Sequence, residues 1–276
     1  MPAPRPTPIA VFAALLLAQV PAARAQEAPA EDGGAAAEAP NTGQDVTNPI
    51  KRIDVRAGYS ETTDGAGSQT FILRHDRPIA LANGDQLALR IDLPFVANDF
   101  VTPDNPAGKN DIGFSDTLVQ ALYIHPVNKQ QAFGIGAQLI APTASEIGFG
   151  AGKWRVVPLV GYRWSVNSIS PGSFFVAAAR WDVSFAGDRH RANVSNVQFG
   201  PTLNVALKDG AFVTIYPSTE IRYDFVKDSF FLPFDAAVGK LWGGKIITSL
   251  EGSAKLIGDH DAPYRYKVEA RIGFLF

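Results

Sequence analysis

The 276-residue chain contains no cysteine, so disulfide bonds are closed to it, as is the lipid-modified cysteine of a lipoprotein. Past its N-terminal segment it has no apolar run approaching the ~20 residues that a helical membrane span needs. If it crosses a membrane, it must do so as strands. It also lacks a basic patch interleaved with stacking aromatics, and its formal net charge is −2; both argue against nucleic acid as a partner. The four histidines, His75, His125, His190 and His260, fall on separate stretches without metal-ligand spacing, so neither a metal nor another cofactor is expected.

What is present begins with an export signal. Arg5 precedes an apolar run over residues 9–20, and Ala23-Arg24-Ala25 has the A-x-A form of a cleavage site. Residues 1–25 therefore read as a signal peptide, with the mature chain starting at Gln26. Residues 26–48 are Ala, Glu, Pro, Gly and Asp with almost nothing large and apolar. Such a composition cannot offset its ordering entropy, and a disordered arm is expected there.

From residue 49 to 276 apolar residues recur at every second position. Ile53, Val55, Ala57 and Tyr59 interleave with Arg52, Asp54 and Arg56; Leu87, Leu89, Ile91 and Leu93 with Arg90 and Asp92. Trp154, Val156, Val160, Tyr162 and Trp164 interleave with Arg155 and Arg163, and Phe175, Ala177, Ala179, Trp181 and Val183 with Arg180 and Asp182. Val197 and Phe199, and later Ile221, Tyr223 and Phe225, follow the same rule, and Phe276, Phe274, Ile272, Ala270 and Val268 end the chain on it. Period two is the mark of a strand with two unlike faces. Weaker stretches at Ser68–Ile79, Ile112–Ile124, Phe230–Lys240 and Lys245–Ile257 fill the gaps, which makes about twelve strands in one all-β domain. Asn83-Gly84 and Asp209-Gly210 mark tight hairpins, with Gly243-Gly244 alike, whereas residues 98–111, 142–152 and 187–193 are longer connections.

Alternation alone does not say which face is inside. A soluble barrel hides its apolar face; a transmembrane antiparallel β-barrel turns that face to lipid and lines its interior with polar groups. Two features favour the membrane form. The apolar face runs along nearly every strand, which is too much for a core of this size. Aromatics also gather near strand ends, where girdles at the membrane boundary lie, among them Trp154, Trp164, Trp181, Phe274 and Phe276. The interior is then rich in charge of both signs, wet or tied by salt bridges and not filled with hydrocarbon. Arg163, Arg180, Glu220 and Arg222 are the candidates for lumen selectivity, with arginine slightly outweighing acid and so a mildly anion-favouring field.

Catalytic motifs fail on inspection. Gly150-Ala151-Gly152-Lys153 is not a phosphate loop: Ile147 stands where its first glycine belongs, and Trp154 where a Ser or Thr would hold magnesium. A hydrolase embedded in the barrel wall would use His125 as base, but no serine is its evident partner and there is no G-x-S-x-G elbow. The chain is not expected to be an enzyme.

The run Ile147-Gly148-Phe149-Gly150-Ala151-Gly152-Lys153-Trp154, followed by Pro158 and Gly161-Tyr162, resembles the Gly-x-Gly-Lys-Trp…Pro…Gly-Tyr signature of the MetA-pathway of phenol degradation family. The stretch from Asp111 to Asp116 is similar to the Gly-x-Gly-Asp strand start of that family, with Ser115 in place of the second glycine. The resemblance implies a Gram-negative outer-membrane barrel that takes up small hydrophobic or aromatic compounds. The terminal aromatic strand likewise resembles that of outer-membrane barrels, which the assembly machinery reads. The expected partners are thus outer-membrane lipid, that machinery and a small solute; the expected function is porin-like, passive or facilitated uptake. A structural, non-conducting barrel is the main alternative, and the wall-embedded hydrolase the lesser one.

Overall fold

The computed structural model describes residues 41–63, 65–101, 105–259 and 262–276. The signal peptide, the arm as far as residue 40, and His260 lie outside the described residues.

The alternating stretches become β1 (Arg52–Glu61), β2 (Gly67–Ala80), β3 (Gln86–Asn98), β4 (Asp111–Phe114), β5 (Thr117–Asn128), β6 (Gln131–Ala141) and β7 (Lys153–Ser165). They continue as β8 (Phe174–Gly187), β9 (Ser195–Ala206), β10 (Ala211–Ile215), β11 (Ile221–Asp224), β12 (Ser229–Trp242), β13 (Ile246–Gly258) and β14 (Tyr266–Leu275). Neighbours in the chain pair antiparallel, and β1 pairs with β14 from Arg52↔Leu275 to Glu61↔Tyr266, so the sheet closes on itself. β4 and β5 both pair with β3, while β10 and β11 both lie between β9 and β12. Each couple is one interrupted strand, and the wall is a closed twelve-stranded antiparallel barrel.

The two interruptions fall inside stretches whose pattern reads as continuous, and each has a local cause. Between β10 and β11, Pro217 has no N–H for the ladder. Tyr216 beside it is left-handed (φ 52°) and sends its N–H to the Asp235 carbonyl at 2.8 Å. Between β4 and β5, Asp116 leaves the ladder to accept the Ala151 N–H at 2.7 Å from the loop that precedes β7.

The end of the barrel that carries Arg52 and Leu275 is called the near rim. There most connections are short, namely residues 81–85, 129–130, 207–210 and 243–245, with one longer link at 166–173. The long links 99–110 and 142–152 lie at the far rim, with 188–194. The alternation sorts the faces as a membrane barrel requires. Val55, Leu73, Ile91, Val119, Ile135, Val160, Val197, Phe234, Leu250 and Val268 are exposed, whereas Asp54, Asp92, Gln120, Gln138, Asp182, Gln198, Thr214, Asp235, Glu251 and Arg271 are buried. The interior departs from the expected polar lining near the near rim. Ala88, Leu122 and Ile124 form one inward apolar cluster with Leu159; Phe212, Leu241 and Ile247 form another with Ile50 and Leu275.

The β5–β6 ladder depends on a missing side chain. A Cβ at Gly136 would sit on the Ala121 carbonyl oxygen and 2.8 Å from Leu122 Cα, both backbone atoms that cannot swing aside. Gly136→Ala is expected to destabilise the barrel by about 1–3 kcal/mol, the usual range for overpacking. Gly252→Ala, where a Cβ meets nothing within 4 Å, is the control. Urea titration followed by heat-modifiable gel mobility compares them, and equal midpoints would refute the assignment.

Candidate functional site: the barrel lumen

Register places opposite charges side by side across the strands lining the interior. One lateral row runs Arg52–Asp76–Arg90–Gln120–Gln138 through β1, β2, β3, β5 and β6. In it Asp76 accepts Arg52 Nε at 2.8 Å and Arg90 Nε at 2.7 Å, and Gln138 donates to Gln120 at 2.9 Å. One step farther in, Arg74 and Asp92 face each other at 2.6 Å. Farther round the wall on either side of this row, Lys267 sits 2.6 Å from Glu220 and 2.7 Å from Glu251, and Arg155 sits 2.6 Å from Asp182. Cross-strand neighbours of opposite sign stabilise a sheet, and their low exposure strengthens the attraction.

The near rim is not an open mouth. Residues 41–50, which precede β1, turn inward. The Gly43 carbonyl accepts Arg52 Nη1 of β1 at 2.6 Å, and Asp45 Oδ2 accepts Arg163 Nε of β7 at 2.9 Å. Those two strands lie almost opposite one another in the wall, so the segment crosses the lumen. Thr47 secures it from within, its N–H and hydroxyl both donating to Asp45 Oδ1, and Ile50 packs on the Phe212–Leu241–Ile247 cluster. Between segment and wall remains a cavity of about 30 Å³, room for roughly two waters. The expected disorder through residue 48 therefore differs from what is found at residues 41–48. Composition misses this segment because its few anchoring residues, Gly43, Asp45 and Thr47, act singly.

Of the four lumen candidates, the structure leaves two unneutralised. Arg163 is taken by Asp45 and also donates to the Ser165 hydroxyl. Glu220 accepts from Lys267 and from the Tyr264 hydroxyl. Arg180 bonds only uncharged groups, Gln198 Oε1 at 2.5 Å and the Thr219 carbonyl at 2.8 Å. Arg222 has a buried Nε without an acceptor, and its guanidinium lies 5.8 Å from the centre of the Phe231 ring. Among the described residues these are the inward arginines without a carboxylate in salt-bridge range. Register joins them, since both pair with Gln198, one from each side. Sequence reasoning passed over Arg74, Asp76 and Asp235, which sit on the weaker stretches; the Arg74–Asp76 spacing of two was the available signal.

The aromatic candidates are all exposed on the outer face. Trp164 stacks with Tyr162 and Phe175 near the near rim, at 4.5 and 5.9 Å between ring centres. Phe274 is close by, and Phe276 has Lys51 Nζ 4.4 Å over its ring and His75 stacked on it. Trp154 begins β7 at the far rim, and Trp181 donates to the Ser195 hydroxyl at the start of β9.

His125 is tied to an aspartate. Its Nδ1 is 2.7 Å from Asp85 Oδ1 in the β2–β3 turn, and the Tyr123 hydroxyl bonds the other Asp85 oxygen. With the His125 contact, that Tyr123 bond holds the Asp85 carboxyl below the usual carboxylate range. The glycine-rich run serves the far rim instead of a ligand. Gly150 lies against the Asp116 carboxylate with no room for a Cβ, Arg191 donates to the Ile147 and Gly150 carbonyls, and Lys153 donates to Asn193. Three connections are thereby clasped together. Among the described residues no cluster of His, Cys, Asp and Glu could hold a metal ion.

No family profile matches the chain, and no curated protein does. Among solved structures, the COG4313 outer membrane channel from Pseudomonas putida F1 superposes with a TM-score of 0.62 at 17% identity, over 89% of this chain and 100% of that one. The KdgM porin matches at TM-score 0.49 and 12% identity, covering 82% and 99%. The NanC porin matches at 0.49 and 14%, covering 81% and 98%. The first of these establishes the likeness in fold.

Proposed function

We propose that the chain is an outer-membrane channel for passive or facilitated passage of small solutes, hydrophobic and aromatic compounds among them. The observation that carries this reading is the inverted barrel itself: an apolar exterior around an interior lined by charged rows. The channel of Pseudomonas putida F1, built on the same fold, supports it. The aromatic preference draws on the glycine-rich signature alone. Export by residues 1–25, a spacer at residues 26–40, lipid contact through the aromatic belts and recognition of the last strand by the assembly machinery complete the proposal. The near rim then faces the periplasm and the long links face outward, as in bacterial barrels. Arg180 and Arg222 set a mild anion preference.

A structural barrel is the second reading, favoured by the segment 41–50 that crosses the near rim and by the salt bridges that tie the interior charges together. Conductance separates the two. Purified protein in planar bilayers is expected to give discrete current steps, and in liposomes to admit small solutes. Neither steps nor flux from correctly folded protein would leave the structural barrel standing.

A further inference from the structure

The interior neutralises nearly all of its arginines, so the exception needs a reason. Two guanidinium groups flank Gln198 on one lateral row, Arg180 from β8 and Arg222 from β11. Like charges so placed repel, and buried cations without counter-charges are costly. The nearby acids are engaged elsewhere: Asp182 with Arg155 at 2.6 Å, and Glu220 with Lys267 at 2.6 Å. Arg222 opens onto a cavity of about 120 Å³ at the far rim, also lined by Phe230, Phe231, Ser229 and Lys227. Two acids share that lining, Asp224 and Asp259. Asp224 Oδ1 is occupied by the Val226 and Lys227 N–H groups at 2.9 and 3.1 Å.

From this arrangement we infer a binding site for a small organic carboxylate with a flat apolar body, held by Arg222 against the Phe230 and Phe231 lining of the cavity at the far mouth. A guanidinium presents a planar fork that matches a carboxylate with two parallel hydrogen bonds, and Arg222 has that fork unspent. Phe231 is buried, and Tyr264 meets it edge-on with ring centres 5.0 Å apart, so an aromatic wall stands beside the cation. A carboxylate alone would use only the charge; a planar apolar body would also lie along the aromatic side of the cavity. Arg180 adds a second positive charge across the intervening β9, which raises the local concentration of anions. This deepens the channel reading by naming a class of solute and rests on it for its role, but binding can be measured without conduction.

Isothermal titration of the folded full mature chain in detergent tests the site, with sodium benzoate, acetate and phosphate as probes. Benzoate is expected to bind more tightly than acetate or phosphate. Arg222→Gln should weaken benzoate about tenfold, a loss typical of one charge-assisted contact. Phe231→Leu should abolish the preference for benzoate over acetate. Heat-modifiable mobility confirms that each variant is folded, and Arg222→Lys, which keeps the charge without the fork, should fall between. Benzoate binding no better than acetate, absent altogether, or unaltered in Arg222→Gln overturns the site. Benzoate binding to a barrel that passes no current would overturn the channel reading and leave the site.

Discussion

Deleting residues 41–48 from the mature chain is expected to raise single-channel conductance several-fold while the barrel stays folded. The segment spans the near rim from β1 to β7, and its anchors are few: the Gly43 carbonyl on Arg52, Asp45 on Arg163, and the packing of neighbouring Ile50. A charge-assisted hydrogen bond contributes about 1.5–3 kcal/mol. That holds a segment in place but is small beside the ladders that close the wall. Removing the segment therefore widens the constriction without dismantling its frame. Asp45→Ala, a milder change, should give a channel that flickers between the parental and the larger conductance. Planar-bilayer recordings at fixed salt report both, with gel mobility showing that the barrel is folded. A folded deletion variant with parental conductance would mean that the segment does not limit the pore.

The barrel was legible because its rule is local. Alternation at Arg52 to Tyr59 or at Trp154 to Trp164 shows in a few residues whichever way the sheet faces, and the closed antiparallel wall follows it. The breaks at Ser115–Asp116 and at residues 216–220 were less so, since each depends on a partner far along the chain: the Ala151 N–H in one, the Asp235 carbonyl in the other. The same limit applies to the lumen. Its charges could be assigned to the inner face by period, but which are cancelled is a matter of register between strands. Arg163 and Arg180 look alike in sequence; Asp45, 118 residues from Arg163, neutralises the first, and among the described residues no carboxylate lies in salt-bridge range of the second. The inward segment at residues 41–50 was the hardest to see, because a few polar anchors in an Ala- and Pro-rich stretch read as spacer.

Asp54→Leu is expected to be the most damaging single substitution in the interior, costing about 3–5 kcal/mol, the range for breaking a buried ion pair on one side. Asp54 is fully buried at the β1–β14 seam, where the barrel closes. Its Oδ2 lies 3.1 Å from Arg271 Nε, 3.4 Å from Arg52 Nε and 3.6 Å from Arg56 Nη2. Those three contacts are too long or too poorly aligned to be hydrogen bonds and act through charge; the aligned bond is from Arg271 Nη2 to Oδ1 at 3.3 Å. Arg52 and Arg56 have second acids, Asp76 and Glu269, whereas among the described residues Arg271 has Asp54 alone. Leucine would thus strand the Arg271 guanidinium, buried, against two other cations. If that is the cause, Asp54→Leu combined with Arg271→Met should recover much of the loss, because replacing both members of a buried pair by apolar side chains is often close to neutral. Urea midpoints for the parent, both single variants and the double variant complete the cycle. A single variant that unfolds with the parent, or a double variant no better than Asp54→Leu, would move the weight of the seam from charge to the backbone ladder.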